Sequence, residues 1–557
     1  MLFPTLFISV VMCVFGNNVN TKEYREVRIG QGVLRGYKNT DFGIYVFYGI
    51  PYATAPKGQH RYRAPLPAPV WSGTLEAIAN NIVCPQDKDP MKGLDIMNHK
   101  TSTEDCLIAN IYAPDTKDQN LPVVVYVHAG AFAMGSGNLL TPKNFVKNNQ
   151  VMVVTFNYRI GALGYLCLGT EDIPGNAGMK DQVALLRWVK NNIANFGGNP
   201  NDVTLAGYSS GAMSVDLLML SKMTDGLFTK VIPESGYNLG SYALQNEPIE
   251  QAKQFAKRRG FYNVDDFHAL HDFFMNSSVE NLLEEVIITP DASPTLSPCV
   301  ERHTSEEPFL SEAPYTILKT GNYKKVPLLY GITTAEGLLQ VPLFKEFSKQ
   351  MNENFASVLP SDLKFDNDSQ KAEVAALVKK FYFKDENITS ENIAAYVYYF
   401  TDIYFGISFG RALQLHVAAG HKEIYVYEYS YVDDKVVMFS PNPLKVGKLG
   451  ADHCAQSFAV LEGLFVPDDE SKLTKQFIEM KSLMRGLWYN FITTKKPVPV
   501  GSALPNWPAV GKDYSPHMSI NTTMELRGPI LKERLDFWEK IYDKHYKIPT
   551  APAYHGL

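Results

Sequence analysis

Gly207-Tyr208-Ser209-Ser210-Gly211 is the segment of this 557-residue chain best built for chemistry. Residues 202–206 ahead of it read as a short buried strand, and residues 212–220 behind it read as a helix. A Gly-x-Ser-x-Gly at a strand-to-helix junction is a nucleophile elbow, a strained turn that lifts a serine oxygen clear of a sheet. Glycines flank the turn because strand and helix crowd the backbone there. Ser209 is therefore the expected nucleophile. The same spacing recurs at Gly406-Ile407-Ser408-Phe409-Gly410, inside an aromatic-rich run from Tyr396 to His416 with no β-branched strand before it. Those glycines are expected to let helical segments pack closely, and Ser408 is assigned no chemistry.

A serine attacking an electrophilic carbon needs a base, an acid that orients the base, and N–H donors for the oxygen that gains charge. Elbow sites run Ser, then Asp or Glu, then His along the chain. Glu336 stands in a loop just past an apolar run ending at Ile332, and His453 stands in the glycine-led loop Gly450-Ala451-Asp452-His453-Cys454. They are the expected acid and base. No glutamate-then-histidine pair of this type follows Ser408. His128-Ala129-Gly130-Ala131-Phe132 follows another apolar run. Gly130 and Ala131 are the expected oxyanion donors from that loop, with the backbone N–H of Ser210 as the third. His128 precedes the nucleophile in sequence and is read as structural.

The elements that must hold these residues follow from the apolar pattern. Residues 122–127, 151–156, 203–206, 326–332 and 423–431 read as strands buried on both faces. Helices alternate with them, the clearest over 181–195, where Leu185, Leu186, Val189 and Ile193 share one face. Gly175 and Gly178 lie before it, and Gly197-Gly198-Asn199-Pro200 ends it with turn chemistry. The expected fold class is α/β, a central, mostly parallel, doubly wound sheet with helices on both faces and a site at the strands' carboxyl ends.

An apolar content of 45% with 20% charged residues suits a sizeable core, and no linker or repeat divides residues 17–557, which are read as a single domain. A net charge of −5 without a Lys/Arg cluster gives nucleic-acid binding no electrostatic support. Residues 1–16 are apolar but shorter than the ~20 residues a membrane span needs. They read as a signal peptide, although no Lys or Arg precedes the run. No later segment reads as a span, and sequons at Asn276, Asn367, Asn387 and Asn521 agree with export. Cys84 and Cys106 are the plausible disulfide pair, closing a polar loop worth roughly 3 kcal/mol on chain entropy. Cys167, Cys299 and Cys454 are expected to be unpaired. No spacing of Cys and His suggests a metal, and the chemistry needs no cofactor. The sequence is silent on oligomeric state.

Further segments carry a resemblance. Phe47-Tyr48-Gly49-Ile50-Pro51-Tyr52-Ala53, Glu104-Asp105-Cys106-Leu107, Asn157-Tyr158-Arg159, Gly175 to Gln182 and Phe196-Gly197-Gly198-Asn199-Pro200 stand in order along the chain. With the elbow, they make it resemble the type-B carboxylesterase/cholinesterase family of α/β-hydrolases from near Glu26 to about Tyr542. The pattern is nearest to secreted insect esterases of the antennal and integument type, whose elbow also carries Tyr after the first Gly. The resemblance implies a Cys84–Cys106 disulfide, ion pairs Arg61–Glu104 and Arg159–Asp181, and a Ser209, Glu336, His453 triad. The chain departs from the family at Ser210, where Ala is usual, at Ala129, where Gly is common, and at Ala455-Gln456, where acidic residues are frequent.

The function that follows is a secreted serine carboxylesterase acting on a small-molecule ester through an acyl-enzyme, with odorant, pheromone or xenobiotic esters as substrates. Two alternatives come with the family. Neuroligin-like adhesion proteins keep the fold without catalysis, but they typically lack the nucleophile and add a span. A juvenile hormone esterase is expected to carry Gln at Tyr208. Cholinesterases hold their cation against a Trp between the paired cysteines and place Glu before the nucleophile. Here no Trp lies between Cys84 and Cys106, and Tyr208 precedes Ser209. Neutral esters, with short acyl groups such as acetate foremost, are therefore expected over choline esters.

Overall fold

In the computed structural model, which describes residues 23–89, 99–283, 286–433 and 449–554, the apolar runs assemble into one sheet. Its strands are β1 (Tyr24–Ile29), β2 (Gly32–Asn39), β3 (Ile44–Pro51), β4 (Ile108–Pro114), β5 (Leu121–Val127) and β6 (Met152–Phe156). They continue with β7 (Gly198–Tyr208), β8 (Lys230–Glu234), β9 (Leu328–Thr333), β10 (Ile424–Tyr429), β11 (His517–Ile520) and β12 (Met524–Arg527). The spatial order is β1-β2-β3-β4-β6-β5-β7-β8-β9-β10-β11-β12, with the short strand Thr74–Glu76 beside β2. From β6 to β11 every neighbouring pair is parallel, and the flanking pairs at both edges are antiparallel. The parallel centre is covered on both sides, so β6 and β9 are buried at every position. Successive residues feed opposite cores, with Val123, Val125 and Leu205 in one and Val124, Tyr126 and Ala206 in the other.

The register aligns the strand ends that matter. Gly207 lies beside Val127, Tyr208 beside Glu234, and Glu234 beside Gly331. The loops leaving β5, β7, β8 and β9 therefore open on one edge, where doubly wound sheets bind ligands.

The helix expected over 181–195 runs instead from Ala177 to Asn192 (α1) and closes in a 3-10 turn, Ile193–Phe196, before Gly197 at φ 102°. Gly178 lies inside it, and glycine is required there because a Cβ would stand 2.3 Å from the Arg159 carbonyl oxygen. The aromatic-rich run is helical too, with Ile393–Thr401, a π turn at Asp402–Gly406 and Ile407–Ala418 following without a break.

Two ties differ from expectation. Cys84 and Cys106 are bonded, but Cys167 and Cys299 also form a disulfide across 132 residues, leaving only Cys454 free among the described residues. Nothing local in sequence announces that second bond. Gly175 admits it, since a Cβ there would lie 2.7 Å and 2.8 Å from the two sulfurs. Arg159 and Asp181 pair twice, Nε to Oδ2 at 2.7 Å and Nη2 to Oδ1 at 2.6 Å, fully buried. Arg61 does not reach Glu104. Its guanidinium donates to the Gly58 and Ser277 carbonyls at 3.1 Å and 2.7 Å, so loop carbonyls take the place of the carboxylate. The expected signal peptide, residues 1–16, lies outside the described residues. Among those described, no helix is long and apolar enough to cross a membrane.

Candidate active site

Ser209 sits between β7 and the helix Ser210–Leu218 (α2) at φ 53° and ψ −127°, a conformation that a non-glycine residue holds only under strain. The glycines around it are required by contact. A Cβ on Gly207 would stand 2.5 Å from the Gly211 carbonyl oxygen, and one on Gly211 would stand 2.2 Å from that of Val127. The Ser209 N–H is anchored on the Glu234 carbonyl at 3.0 Å.

Glu336 opens a 3-10 helix, Glu336–Leu343, just past β9 and is fully buried. Its Oε2 meets His453 Nδ1 at 2.5 Å. Its Oε1 accepts the Ser235 hydroxyl at 2.6 Å and the Thr333 N–H at 2.8 Å, so the carboxylate cannot turn away from the imidazole. Ser235, the first residue past β8, is held in turn by Gln456 Nε2 at 2.7 Å. The His453 ring stacks on Phe405 at 4.4 Å, and the His453 backbone N–H donates to Asp452 Oδ1 at 2.7 Å. Burial pushes the Asp452 carboxyl up to about 7.

Gly130, Ala131 and Phe132 have φ of 127°, 53° and 61°, which turns the loop after β5 toward the elbow. The Gly130 and Ala131 N–H groups donate to no acceptor among the described residues. The Ser210 N–H opens α2, where the first turn's N–H groups have no partner within the helix. Gly130, Ala131, Ser209, Ser210 and His453 all line one cavity of about 840 Å³, counted out to its open mouth. Its other described walls include Met134, Met213, Leu339, Phe405 and Phe458, and among the described residues none that lines it is Asp, Glu, Lys, Arg or Trp.

The residues set aside stay apart from this cavity. His128 is buried, stacked on Tyr158 at 4.2 Å, and burial lowers its imidazole to about 4, so it is a neutral brace. Ser408 lies within its helix and donates to the Phe405 carbonyl at 2.9 Å. Asn276, Asn367, Asn387 and Asn521 are all exposed.

Sequence reading missed Ser235, Gln456 and Phe405. Glu234-Ser235-Gly236 at the end of a strand is the one local signal that could have flagged the first. It also missed Glu234, whose buried carboxylate lies behind the elbow and accepts Ser457 Oγ at 2.6 Å, Trp488 Nε1 at 3.1 Å and the Tyr427 hydroxyl. Burial pushes Glu234 up to about 7.

Comparison with known proteins agrees over nearly the whole chain. The carboxylesterase family matches residues 23–538. A carboxylic ester hydrolase of Bombus ignitus is 30% identical over 493 residues, 85% of each chain. Venom carboxylesterase-6 of Apis mellifera is 30% identical over 84% of this chain and 86% of its own. The crystal structure of juvenile hormone esterase from Manduca sexta, with OTFP covalently attached, superposes with a TM-score of 0.79 at 29% identity, covering 94% of this chain and 100% of that one. The fold is that of an α/β-hydrolase, and the chain belongs to the carboxylesterase family, whose reaction class is the hydrolysis of carboxylic esters.

Proposed function

We propose that this chain is a secreted serine carboxylesterase in which Ser209, Glu336 and His453 act together on neutral esters. The observation that carries the reading is the buried Glu336–His453 contact at 2.5 Å, facing the same cavity as a serine held at φ 53°. Ser209 Oγ attacks the ester carbonyl carbon while His453 Nε2 takes its proton. Glu336 holds Nδ1 protonated and stabilises the imidazolium that forms. The Gly130, Ala131 and Ser210 N–H groups receive the oxyanion. His453 then gives the proton to the departing alcohol, and water cleaves the acyl-enzyme by the same route.

An apolar cavity with no acidic or Trp side chain among its described lining residues supports uncharged substrates over choline esters. Short aliphatic or aryl acetates, of the kind found among odorants, pheromones and xenobiotics, suit it best. Secretion is supported by two disulfides, by four exposed sequons and by the apolar residues 1–16. We read residues 17–557 as the mature catalytic domain. The Manduca sexta relative is a juvenile hormone esterase, so juvenile hormone esters stay in the substrate panel beside the acetates.

An organophosphate on the purified protein tests the site, with mass spectrometry expected to place the adduct on Ser209 alone. An adduct on Ser210 or Ser408 overturns the assignment. N-terminal sequencing of protein recovered from expression medium tests export, with Asn17 expected as the first residue.

A further inference from the structure

The hydroxyls around the cavity can be accounted for singly. Tyr404 Oη donates to the Thr289 carbonyl at 2.5 Å, and Tyr242 Oη donates to that of Ile287 at 3.5 Å. Ser210 Oγ is sealed from the cavity, without a partner. The Cys454 thiol interacts with the Ser235 hydroxyl. Tyr208 is the exception. It lines the cavity, it is 4% exposed, and its hydroxyl has no hydrogen-bond partner among the described residues. Unlike the hydroxyls of Tyr112 and Tyr126, that of Tyr208 is not sealed off. The little surface it keeps therefore opens on the cavity.

Its ring is fixed there, stacked on Tyr126 at 6.0 Å and 18° and meeting Phe458 edge-on at 6.0 Å and 74°. A phenol O–H held in an apolar enclosure with no protein acceptor rewards a ligand that brings one. Its side of the site is set by Phe458, the ring it meets edge-on. Phe458 ends the short helix Ala455–Phe458, which begins two residues after His453, the residue that returns a proton to the leaving oxygen. The Tyr208 hydroxyl thus stands on the leaving-group side.

We propose that Tyr208 is a specificity-determining residue whose hydroxyl donates to a second acceptor oxygen, an ether, carbonyl or further ester, on the alcohol arm of the substrate. This rests on the reading of Ser209 as the nucleophile. It refines the reading of an apolar cavity, because one donor survives in it.

Matched acetates test it: butyl acetate against 2-methoxyethyl acetate, and hexyl acetate against 4-methoxybutyl acetate, each pair differing by one CH₂-to-O exchange. Tyr208→Phe removes the hydroxyl and keeps the ring stack. We expect the variant to lose about three- to tenfold in kcat/KM on at least one oxygen-bearing ester, the size of one neutral hydrogen bond, and less than about twofold on its alkyl partner. Equal changes on both members of both pairs overturn the proposal. If Tyr208→Phe does not fold, the wild-type preference within each pair decides. After allowance for the greater polarity of the ether through the uncatalysed rates, no preference for the ether in either pair overturns it. Failure here is separable from failure of the esterase reading. Hydrolysis of alkyl acetates with Ser209 labelled but no oxygen effect defeats this inference alone, whereas no hydrolysis and no label defeats both.

Discussion

Gly207–Gly211 and Gly406–Gly410 share one spacing and have nothing else in common. The first follows β7, a strand buried on both faces, and its serine is forced to φ 53°. The second lies in continuous helix, and its serine is bonded to the carbonyl of Phe405 three residues back. At the elbow, glycine is demanded by rigid backbone, since Gly211 would otherwise meet the Val127 carbonyl oxygen at 2.2 Å. At the copy, Gly410 would meet Leu535 Cδ2 at 2.3 Å, the end of a movable side chain. A motif becomes a site through the elements on either side of it, and spacing alone carries no strain, no cavity and no partner.

The sharpest way to break this contrast is to remove each hydroxyl. Ser209→Ala should abolish turnover, by at least about 10³-fold in kcat, with the thermal midpoint almost unchanged because little packing is lost. Ser408→Ala should leave kcat/KM within about twofold and cost well under ~1 kcal/mol, since an intrahelical serine bond adds little to helix stability. Ester hydrolysis assays beside thermal melts decide it. Full activity in Ser209→Ala would end the assignment.

Adding a methyl group to each glycine comes next. Gly211→Ala should destroy activity in whatever fraction folds, because neither the Val127 carbonyl nor the elbow can retreat without moving Ser209. Gly410→Ala should cost about 1–3 kcal/mol, as overpacking does, with the folded protein retaining its kcat. Active-site titration normalises both rates to competent protein. Equal specific activity in the two variants would show that the elbow tolerates a side chain after all.

What the sequence made legible was chemistry tied to a strand end. Ser209, Glu336 and the Gly130-Ala131 loop each follow an apolar run, so a local pattern and the known chain order were enough to nominate them. The Cys167–Cys299 bond was illegible because it joins segments 132 residues apart, and it depends on the bare face of Gly175. Ser235 and Gln456 were passed over for a similar reason. Each is an ordinary polar residue until the sheet sets it beside Glu336. The Arg61–Glu104 expectation failed because the Gly58 and Ser277 carbonyls, brought up by the fold, take the guanidinium's donors.

Ser235 offers a smaller effect and a third serine to set against the other two. Its hydroxyl donates to Glu336 Oε1 at 2.6 Å, whereas that of Ser408 donates to its own helix. Bonds to a charged group are worth about 1.5–3 kcal/mol, so Ser235→Ala should lower kcat roughly ten- to a hundredfold. As a positioning residue it should leave KM nearly unchanged and shift the acidic limb of the pH–rate profile, which a purely structural defect would not move. Ser235→Thr, which keeps the hydroxyl, should recover part of the loss. A rise in KM with kcat intact would assign Ser235 to substrate contact instead.

The last contrast is between the carboxylates beside the two motifs. Asp402, next to the copy, is buried and paired with Arg534 at 3.0 Å, and Tyr382 also donates to it. Glu234, behind the elbow, has three neutral donors and no cation among its hydrogen-bond partners. Burial raises both carboxyls, Glu234 to about 7. A carboxyl whose folded pKa is raised binds its proton more tightly in the native state than in the unfolded chain. Its contribution to stability is therefore complete below the unfolded value of ~4.3 and is lost as pH rises through about 7. Glu234→Gln removes that ionisation and keeps the shape: the amide oxygen can accept from Tyr427 and Trp488, and Ser457 Oγ can accept from the amide NH₂. The variant should match wild type near pH 5 and exceed it at pH 8 by up to a few kcal/mol, read as a difference in denaturant midpoint that widens between those values. The corresponding Asp402→Asn should show no such gain, because it strands the Arg534 charge. If the Glu234→Gln difference is the same at pH 5 and pH 8, Glu234 does not titrate in this range, and its role behind the elbow is hydrogen bonding alone.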